Sequence, residues 1–148
     1  MPVLTSKYTK KNLISENLIA YYYKGKQHST GKTVFICEFK LDFLNASIIH
    51  QLIRDSEKLV KFKHPSVLQL IDFQYDGKLF YGIYEFPRSL ITLEDFLKKK
   101  GKEDIKLLWK IAVQIITGLT ALEKAGLVHG NLNLSSIYID KNKDVQFS

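Results

Sequence analysis

The stretch that decides the fold is residues 127–139, which read LVHGNLNLSSIYI. Two short apolar pieces, 127–128 and 137–139, enclose a polar segment with one histidine, two asparagines and two serines. The second apolar piece has the β-branched and aromatic composition that is typical of a strand. A polar turn at 140–144 follows it, and residues 145–147 predict one more short strand.

A long helix is predicted directly before this stretch. Its apolar residues recur at three- and four-residue spacing after Asp104, which predicts one buried face. They are Ile105, Leu108, Ala112, Ile115, Leu119 and Leu122. Gly126 stands where the left-handed residue that ends many helices is expected. A shorter helix is predicted before the long one, because Thr92 and Asp95 are spaced as a capping box.

The first third of the chain alternates in the manner of β-strands. Residues 14–23 and 33–39 predict two strands, and the polar residues 25–31 predict the turn between them. Asn45 is a candidate N-cap of the helix that follows. The apolar residues of that helix fall on one face and are Ile48, Ile49, Leu52, Ile53, Leu59 and Val60.

Residues 67–75 and 78–85 predict a hairpin. Asp76-Gly77 lies between the two apolar runs, and this pair favours a two-residue turn in which both central residues have positive φ. The order of elements is therefore a strand pair, a helix, a hairpin, two helices and short strands. Strands followed by helices predict the α+β class.

The composition is that of a folded protein, large enough for one domain or two small lobes. Of its 148 residues, 45% are hydrophobic and 25% are charged. The net charge of +7 would suit a phosphate backbone. However, the lysines are spread along the whole chain, and the densest run, 98–102, has the pattern of a solvated loop. We therefore expect no nucleic-acid partner.

Cysteine content and hydropathy indicate the cellular location of the protein. Cys37 is the one cysteine, which excludes an internal disulfide framework and a multi-cysteine metal site. The N-terminal residues lack the apolar core of a signal peptide. No stretch approaches the roughly 18 uninterrupted apolar residues of a membrane span. We expect a cytoplasmic location and no membrane span.

Three landmarks, taken in order, resemble the protein kinase family. Residues 30–37, TGKTVFIC, look like the third strand that carries Val-Ala-Ile-Lys. Residues 59–68, LVKFKHPSVL, are similar to the end of helix αC and the turn into the fourth strand. Residues 127–139 resemble the catalytic loop His-Arg-Asp-Leu-Lys-x-x-Asn and the strand after it. Together the landmarks cover nearly the whole chain.

The resemblance implies a bilobal, protein-kinase-like α+β fold. Residues 1–85 would form the N-lobe, an antiparallel sheet with helix αC, and residues 86–148 the first, helical part of the C-lobe. A nucleotide cleft would lie between the lobes, with Tyr84 as the gatekeeper at its back. The hinge would consist of Glu85, Phe86 and Pro87. The Asp-Phe-Gly segment that binds magnesium in the family would come after residue 148, so the resemblance stops before it.

In the family, a loop that reads Gly-x-Gly-x-x-Gly-x-Val covers the phosphates. Residues 15–22 align with this pattern and put Ser15, Asn17 and Ala20 at the three glycine positions. Side chains at these positions obstruct the close backbone approach that glycine permits. Glu16 would add a negative charge beside any phosphate.

The resemblance places Cys37 at the position of the phosphate-binding lysine. A thiol is mostly neutral, because its unperturbed pKa is about 8.5. Lys24 on the preceding strand has the same facing as Tyr22, so it either reaches the cleft in place of that lysine or is a surface lysine. Asp55 falls where helix αC presents a glutamate, and its intended partner is missing. We expect Asp55 to face water or to bond a local backbone amide.

The catalytic-loop positions are also replaced. Asn131 occupies the position of the catalytic-loop aspartate. A carboxamide cannot accept a proton near neutral pH, so a rate gain of about 10²–10⁴-fold from general-base catalysis would be lost. Asn133 stands for the loop lysine, and Ser136 for the asparagine that holds a metal ion. Phe35 stands where the family has a small alanine against the adenine. Its ring either fills the adenine space or is an ordinary aromatic of the lobe core.

A chain that keeps the framework of the family and loses its chemical positions is expected to be a pseudokinase, a regulatory or scaffolding module that binds another protein and needs no cofactor. Residues 21–23, three tyrosines, are one candidate contact, because alternation along a strand leaves some of them facing outward. One alternative is an atypical serine/threonine kinase that uses Lys24 with ATP and magnesium. Another is a non-functional fragment of a larger kinase-like protein, with apolar helix surface exposed.

Overall fold

A computed structural model describes residues 7–100, 105–127 and 135–147. The α+β class is confirmed, and the elements follow the predicted order except that three strands precede the first α-helix where two were predicted. The strands are β1 Tyr8–Glu16, β2 Ala20–Gln27, β3 Thr33–Phe39, β4 Leu70–Tyr75, β5 Phe80–Glu85, β6 Ile137–Ile139 and β7 Val145–Phe147. The helices are α1 Ala46–Leu59, α2 Leu93–Lys100 and α3 Ile105–Lys124, with a 3₁₀ turn at Leu41–Phe43.

The chain divides into two compact units. The first consists of Met1–Lys61 and Leu70–Phe86, and the second of Phe62–Gln69 and Pro87–Ser148. The first unit contains a five-stranded sheet in the order β1-β2-β3-β5-β4, in which every neighbouring pair is antiparallel. Helix α1 contacts β4 of this sheet. The lobe boundary predicted between residues 85 and 86 stays a prediction.

The two faces of the sheet carry different sets of side chains, because successive residues of a strand point to opposite sides. One face carries a buried cluster against which Tyr23 and Leu79 pack. The cluster consists of Tyr8, Val34, Ile36, Tyr81 and Ile83. The Tyr8 hydroxyl also donates to Asp72 Oδ2 at 3.0 Å, so a hydrogen bond joins the two outermost strands, β1 and β4.

The opposite face of the sheet is aromatic around Phe80. The ring of Phe80 lies edge-on to Phe39, with 5.8 Å between centroids, and stacks on Phe73 at 6.1 Å. Phe35 and Cys37 alternate with the buried cluster along β3 and therefore lie on this second face. Two of the candidate functional residues, Phe35 and Cys37, are thus carried by β3, the middle strand of the sheet.

The first strand pair differs from the prediction. Residues 14–23 were predicted as one strand, but they contain the end of β1, a turn at 17–19 and the start of β2. Gly25, placed in the predicted turn, is buried within β2, and the turn lies at 28–32. A Cβ on Gly25 would lie 2.6 Å from the carbonyl oxygen of Thr9. This glycine permits a close approach of neighbouring strands and does not mark a turn.

The predicted hairpin of β4 and β5 forms, but its turn is of another kind. Four residues, 76–79, connect the strands, and Gly77 has a φ of 91° while Asp76 has a negative φ. The carboxylate Oδ1 of Asp76 accepts hydrogen bonds from the backbone N–H groups of Lys78 and Leu79, both at 2.8 Å. The aspartate side chain holds the turn, so a second residue with positive φ is not needed.

The predicted helix starts are confirmed by their caps. Asn45 accepts a hydrogen bond from the backbone N–H of Ile48 at 3.0 Å, which begins α1. Thr92 Oγ1 accepts one from the backbone N–H of Asp95 at 3.1 Å, which begins α2. Both caps are local in sequence, and each satisfies a backbone donor that the helix itself leaves unpaired.

The predicted end of α3 is confirmed as well. Gly126 has a φ of 77°. Its backbone N–H bonds the carbonyl of Glu123 at 3.0 Å, and the N–H of Leu127 bonds the carbonyl of Leu122 at 2.9 Å. This pair of bonds is the Schellman motif, which needs the left-handed residue that glycine adopts without strain.

The buried face of α3 agrees with the predicted face only in part, since Leu122 is buried as predicted. The buried residues are Ile111, Gly118 and Leu122, whereas Ile105 is 82% exposed. A Cβ on Gly118 would lie 2.7 Å from the ring of Phe147, so the absent side chain leaves room for the buried end of β7. The contact with the β6–β7 hairpin therefore sets which face of α3 is covered, and apolar spacing alone predicted a neighbouring face.

Helix α3 exposes a large apolar surface, as the fragment alternative expects. Its exposed apolar residues include Ile105, Leu108, Trp109, Val113 and Ile116. By length and composition α3 could cross a membrane, although the sequence predicted no such span. The core helix of a soluble protein satisfies the same criteria, so this property does not assign α3 to a membrane.

Candidate functional site

The residues predicted to surround an adenine lie on one face of the sheet in the first unit. Lys24, Phe35 and Tyr84 are opposite one another on β2, β3 and β5. One step along the sheet, Tyr22 is opposite Cys37. Opposite residues of antiparallel strands point to the same side, so all five side chains belong to one surface.

Aromatic rings cover Phe35 on this surface. The Tyr22 ring stacks on it with 5.5 Å between centroids and 19° between planes. The Phe86 ring meets it edge-on, with 6.2 Å between centroids and 79° between planes. Phe35 is only 1% exposed. The space beside Phe35 is therefore filled by side chains of the same unit.

Lys24 lies at the exposed border of this aromatic group. Its ammonium is 5.9 Å from the centroid of the Phe86 ring, within the range of a cation–π contact. Lys24 follows Tyr22 by two residues on β2, so the two side chains lie on the same face of the sheet. The contact with Phe86 holds the ammonium beside the aromatic stack.

Cys37 is buried and uncharged. The pKa of its thiol is raised to about 12, mainly by burial; a hydrogen bond with Tyr22 acts to lower it, and the carboxylate of Glu38 acts to raise it. A neutral thiol cannot attract phosphate oxygens as an ammonium would. The Cys37 position therefore supplies no positive charge to this face.

We expect iodoacetamide to leave Cys37 unlabelled in the folded protein at pH 8 and to label it fully in urea. The thiolate is the reactive form, and the raised pKa suppresses it. The same shift stabilises the fold at pH values below the unfolded thiol's pKa, and this contribution is lost as pH rises toward the folded value of about 12. Mass spectrometry after timed labelling measures the effect. Equal labelling rates for folded and unfolded protein would contradict it.

Tyr84, the residue predicted as gatekeeper, lies over a glycine. A Cβ on Gly82 would be 3.2 Å from Cε2 of the Tyr84 ring. Burial is the largest cause that raises the pKa of the Tyr84 hydroxyl, followed by the nearby Cys37 and Tyr22. The Tyr84 hydroxyl, the Cys37 thiol and Tyr22 therefore lie near one another on this face. Of the predicted hinge, Glu85 ends β5 and is exposed, and Phe86 follows it.

The turn between β1 and β2 is closed by the side chain of Asn17. Its Oδ1 accepts hydrogen bonds from the backbone N–H groups of Ile19 at 3.0 Å and Ala20 at 2.9 Å. Its Nδ2 donates to the Tyr22 hydroxyl at 3.2 Å. Backbone N–H groups in such a turn could otherwise bind an anion. Here the protein itself takes up two of them.

The two residues that end β1 before this turn are also engaged. Ser15 is opposite Tyr22 on the neighbouring strand β1. Glu16 forms an ion pair with Lys40, with 2.8 Å between Oε2 and Nζ. The pair with Glu16 is the largest cause that raises the pKa of Lys40. Lys40 is thus held at the end of β1.

Asp55 bonds a neighbour on its own helix. Its Oδ1 accepts a hydrogen bond from Gln51 Nε2 at 2.8 Å, one turn earlier on α1. None of the ion pairs found in the described part of the chain includes Asp55. The sequence predicted exposure to water or a bond to a backbone amide. The structure instead places a side-chain amide there and leaves Asp55 half-buried.

The structure describes only one of the three predicted catalytic-loop residues. Asn131 and Asn133 lie outside the described residues. Ser136 is half-buried and lies directly before β6. Within the described ranges, no group of three or more histidine, cysteine or acidic side chains is placed to hold a metal ion.

The three tyrosines at 21–23 divide between the two faces of the sheet. Tyr22 belongs to the stack on Phe35, while the rings of Tyr21 and Tyr23 lie on the other side, 6.4 Å apart. The Lys10 ammonium is 4.5 Å from the Tyr23 centroid, and a second lysine lies over Tyr21. All three tyrosines are half-buried, and neighbouring side chains engage each of them.

Two contributions were missed from the sequence. Tyr22 was not selected as a site residue, although it ends the aligned stretch at the position where the family pattern has valine. The carboxamide of Asn17 was read as an obstruction, whereas the structure uses it as a hydrogen-bond acceptor for the turn. Asn17 itself was the signal that could have indicated a closed turn, because asparagine side chains often bond backbone groups a few residues further on.

Comparisons with known proteins match this chain to protein kinases. The sequence profile described as "protein tyrosine and serine/threonine kinase" matches residues 16–148. A CBL-interacting serine/threonine-protein kinase of Arabidopsis thaliana is 24% identical over 99% of the chain and 32% of its own length. A cell division control protein 2 homologue of Trypanosoma brucei brucei is 26% identical over 96% and 45%, respectively. A cyclin-dependent kinase of Encephalitozoon cuniculi is 21% identical over 98% and 50%. The chain thus spans a third to a half of the length of these relatives.

Proposed function

Because this chain belongs to the protein kinase family, we propose that it is a pseudokinase module, which does not transfer phosphate and acts as a regulatory or scaffolding partner of another protein. The observation that carries this proposal is the ring of Tyr22 stacked on Phe35. In the family these two positions hold a valine and an alanine. A cytoplasmic location stays a prediction.

The aromatic stack supports the absence of adenine binding. A planar ligand needs a slot with an apolar surface on both sides, and an aromatic ring placed within the slot competes for the same volume. Tyr22 is held in position by the stack and by the hydrogen bond from Asn17. To admit a base, the protein would have to break both contacts and expose Phe35 to water.

Electrostatics supports the absence of phosphoryl transfer. Catalysis of this reaction depends mainly on positioned cations around the phosphates. Cys37 is neutral at the lysine position, and Asp55 is bonded to Gln51. The N–H groups of the β1–β2 turn are taken by Asn17. Each of these features removes a different contact to the same triphosphate.

One observation favours a second candidate, an atypical serine/threonine kinase. The ammonium of Lys24 is on the same face as Cys37 and is exposed at the border of the stack. A lysine from this strand could serve a nucleotide if the rings of Tyr22 and Phe35 moved apart. The two functions differ in whether magnesium and ATP bind.

Thermal denaturation with and without ATP and magnesium distinguishes the two candidates. We expect no change of the unfolding midpoint at millimolar nucleotide. A nucleotide present at 100 times its dissociation constant would add about 2.7 kcal/mol to the stability.

A matched pair of variants makes this test specific. A magnesium-dependent rise of the midpoint that disappears in Lys24→Met and persists in Lys26→Met would overturn the pseudokinase proposal. Lys26 is exposed on the same face of β2, two residues further on, and provides the control.

A further inference from the structure

The second unit contains a cavity of about 440 Å³ between α2 and the β6–β7 hairpin. Phe96 of α2 and Ile139 of β6, both buried, form its apolar floor, and Ile91 at its side is 53% exposed. A volume of this size can hold one or two large side chains of a peptide. The exposed Ile91 leaves apolar surface available to such a ligand.

The rim of the cavity is cationic. Among the described residues that line it, Arg88, Lys141 and Lys143 are cationic, and Asp140 is the one acidic residue. The Lys143 ammonium lies 5.0 Å from the centroid of the Phe96 ring, directly above the apolar floor. Three positive charges and one negative charge therefore surround the opening.

The negative charge is already engaged within the wall. The Asp140 side chain is 10% exposed and accepts hydrogen bonds from Arg88 Nε at 2.8 Å and from the backbone N–H groups of Asn142 and Asp144 at 2.9 and 3.0 Å. Burial acts to raise the pKa of Asp140, but these bonds outweigh it and keep the pKa below its usual range. Asp140 therefore fixes Arg88 and the turn, and the cations dominate the field at the opening.

We propose that this cavity binds an acidic peptide segment that carries a large apolar side chain. The apolar side chain would pack on Ile91, Phe96 and Ile139. The carboxylates on either side of it would face Arg88, Lys141 and Lys143. The charge complementarity selects an acidic ligand, and the apolar floor favours a peptide over a phosphate backbone, which has no aliphatic group to place there. The site does not depend on the nucleotide site being closed.

Fluorescence anisotropy of a labelled synthetic peptide, Glu-Asp-Leu-Asp-Phe-Asp-Glu, tests the proposal. We expect saturable binding that weakens about tenfold or more between about 0.05 and 0.5 M salt, because exposed charges are screened. A peptide with alanine in place of leucine and phenylalanine is expected to bind more weakly, and a peptide with lysine in place of every acidic residue is expected not to bind. No binding of the acidic peptide would overturn the proposal.

Variants distinguish peptide binding in this cavity from attraction by the net positive charge of the chain. Lys141→Glu with Lys143→Glu is expected to weaken binding about tenfold. Lys99→Glu changes an exposed lysine of α2 outside the lining and is expected to leave affinity unchanged. If the double variant does not fold, Lys141→Glu alone can replace it. This single change lies in the exposed turn and is also expected to weaken binding of the acidic peptide.

Two results would contradict the peptide site. One is equal affinity for the acidic peptide in the wild type and in Lys141→Glu. The other is tighter binding of a single-stranded oligonucleotide of the same net charge, which would assign the cations to nucleic acid. Both measurements are independent of the thermal test with ATP, so this proposal and the pseudokinase proposal can fail separately.

Discussion

Tyr22→Val combined with Phe35→Ala is expected to create adenosine binding that the wild-type chain lacks. The two substitutions remove both stacked rings and restore the residue types that the family has at these positions. ATP is expected to bind no more tightly than adenosine, because Cys37 remains neutral and Asn17 still occupies the N–H groups of the turn. Isothermal titration calorimetry with adenosine and with ATP measures both affinities.

The double variant will also lose stability, which requires a matched control. Replacing one buried phenylalanine by alanine costs about 3–5 kcal/mol. Phe80→Ala removes an equally buried ring from the same face of the sheet but away from Tyr22. It should lose similar stability and gain no affinity for adenosine. If Phe80→Ala gains the same affinity, or if the wild type binds adenosine as tightly as the double variant, the stack does not close the site.

Gly25→Ala is expected to lower the free energy of unfolding by about 2–3 kcal/mol, although alanine adds a single methyl group. The new Cβ would overlap Cδ1 of Ile36 and would lie 2.6 Å from the carbonyl oxygen of Thr9. The Ile36 side chain can rotate away. The Thr9 oxygen belongs to the backbone of β1, which is paired to β2 at this point, so the strands themselves must shift. Urea unfolding, compared at equal m-value, measures the loss.

Gly82→Ala provides the comparison for Gly25→Ala. Its new Cβ would meet the ring edge of Tyr84 at 3.2 Å and would have no backbone atom among its nearest neighbours. A ring can turn by a few tenths of an ångström, so we expect a loss of about 1 kcal/mol or less. A loss for Gly25→Ala that is no larger than the loss for Gly82→Ala would show that the close approach of β1 and β2 is not rigid.

The features that the sequence predicted well are local ones. The Asn45 and Thr92 caps and the glycine at the end of α3 each involve residues within six positions of one another. Such hydrogen bonds form between neighbours in the chain, so residue types at fixed spacing are sufficient to indicate them. The order of the elements follows from the same local signals.

The features that were predicted wrongly depend on residues far apart in the chain. Gly25 was taken as a turn residue because its partner, the Thr9 carbonyl, is known only from the pairing of β1 with β2. The covered face of α3 was misplaced because Gly118 contacts Phe147, 29 positions later in the sequence. In both cases a glycine makes room for a distant group, and hydropathy carries no information about that group.

The sequence by itself determined which residue types stand at the family's chemical positions, including a thiol at the lysine position and an amide at the loop aspartate. These are identities, and an alignment is sufficient to read them. Only the tertiary structure decided that Tyr22 stacks on Phe35 and that Asn17 takes up the N–H groups of the β1–β2 turn. The physical reason is that strand register brings side chains of separate strands onto one surface, where packing and hydrogen bonds determine how much space is left for a ligand.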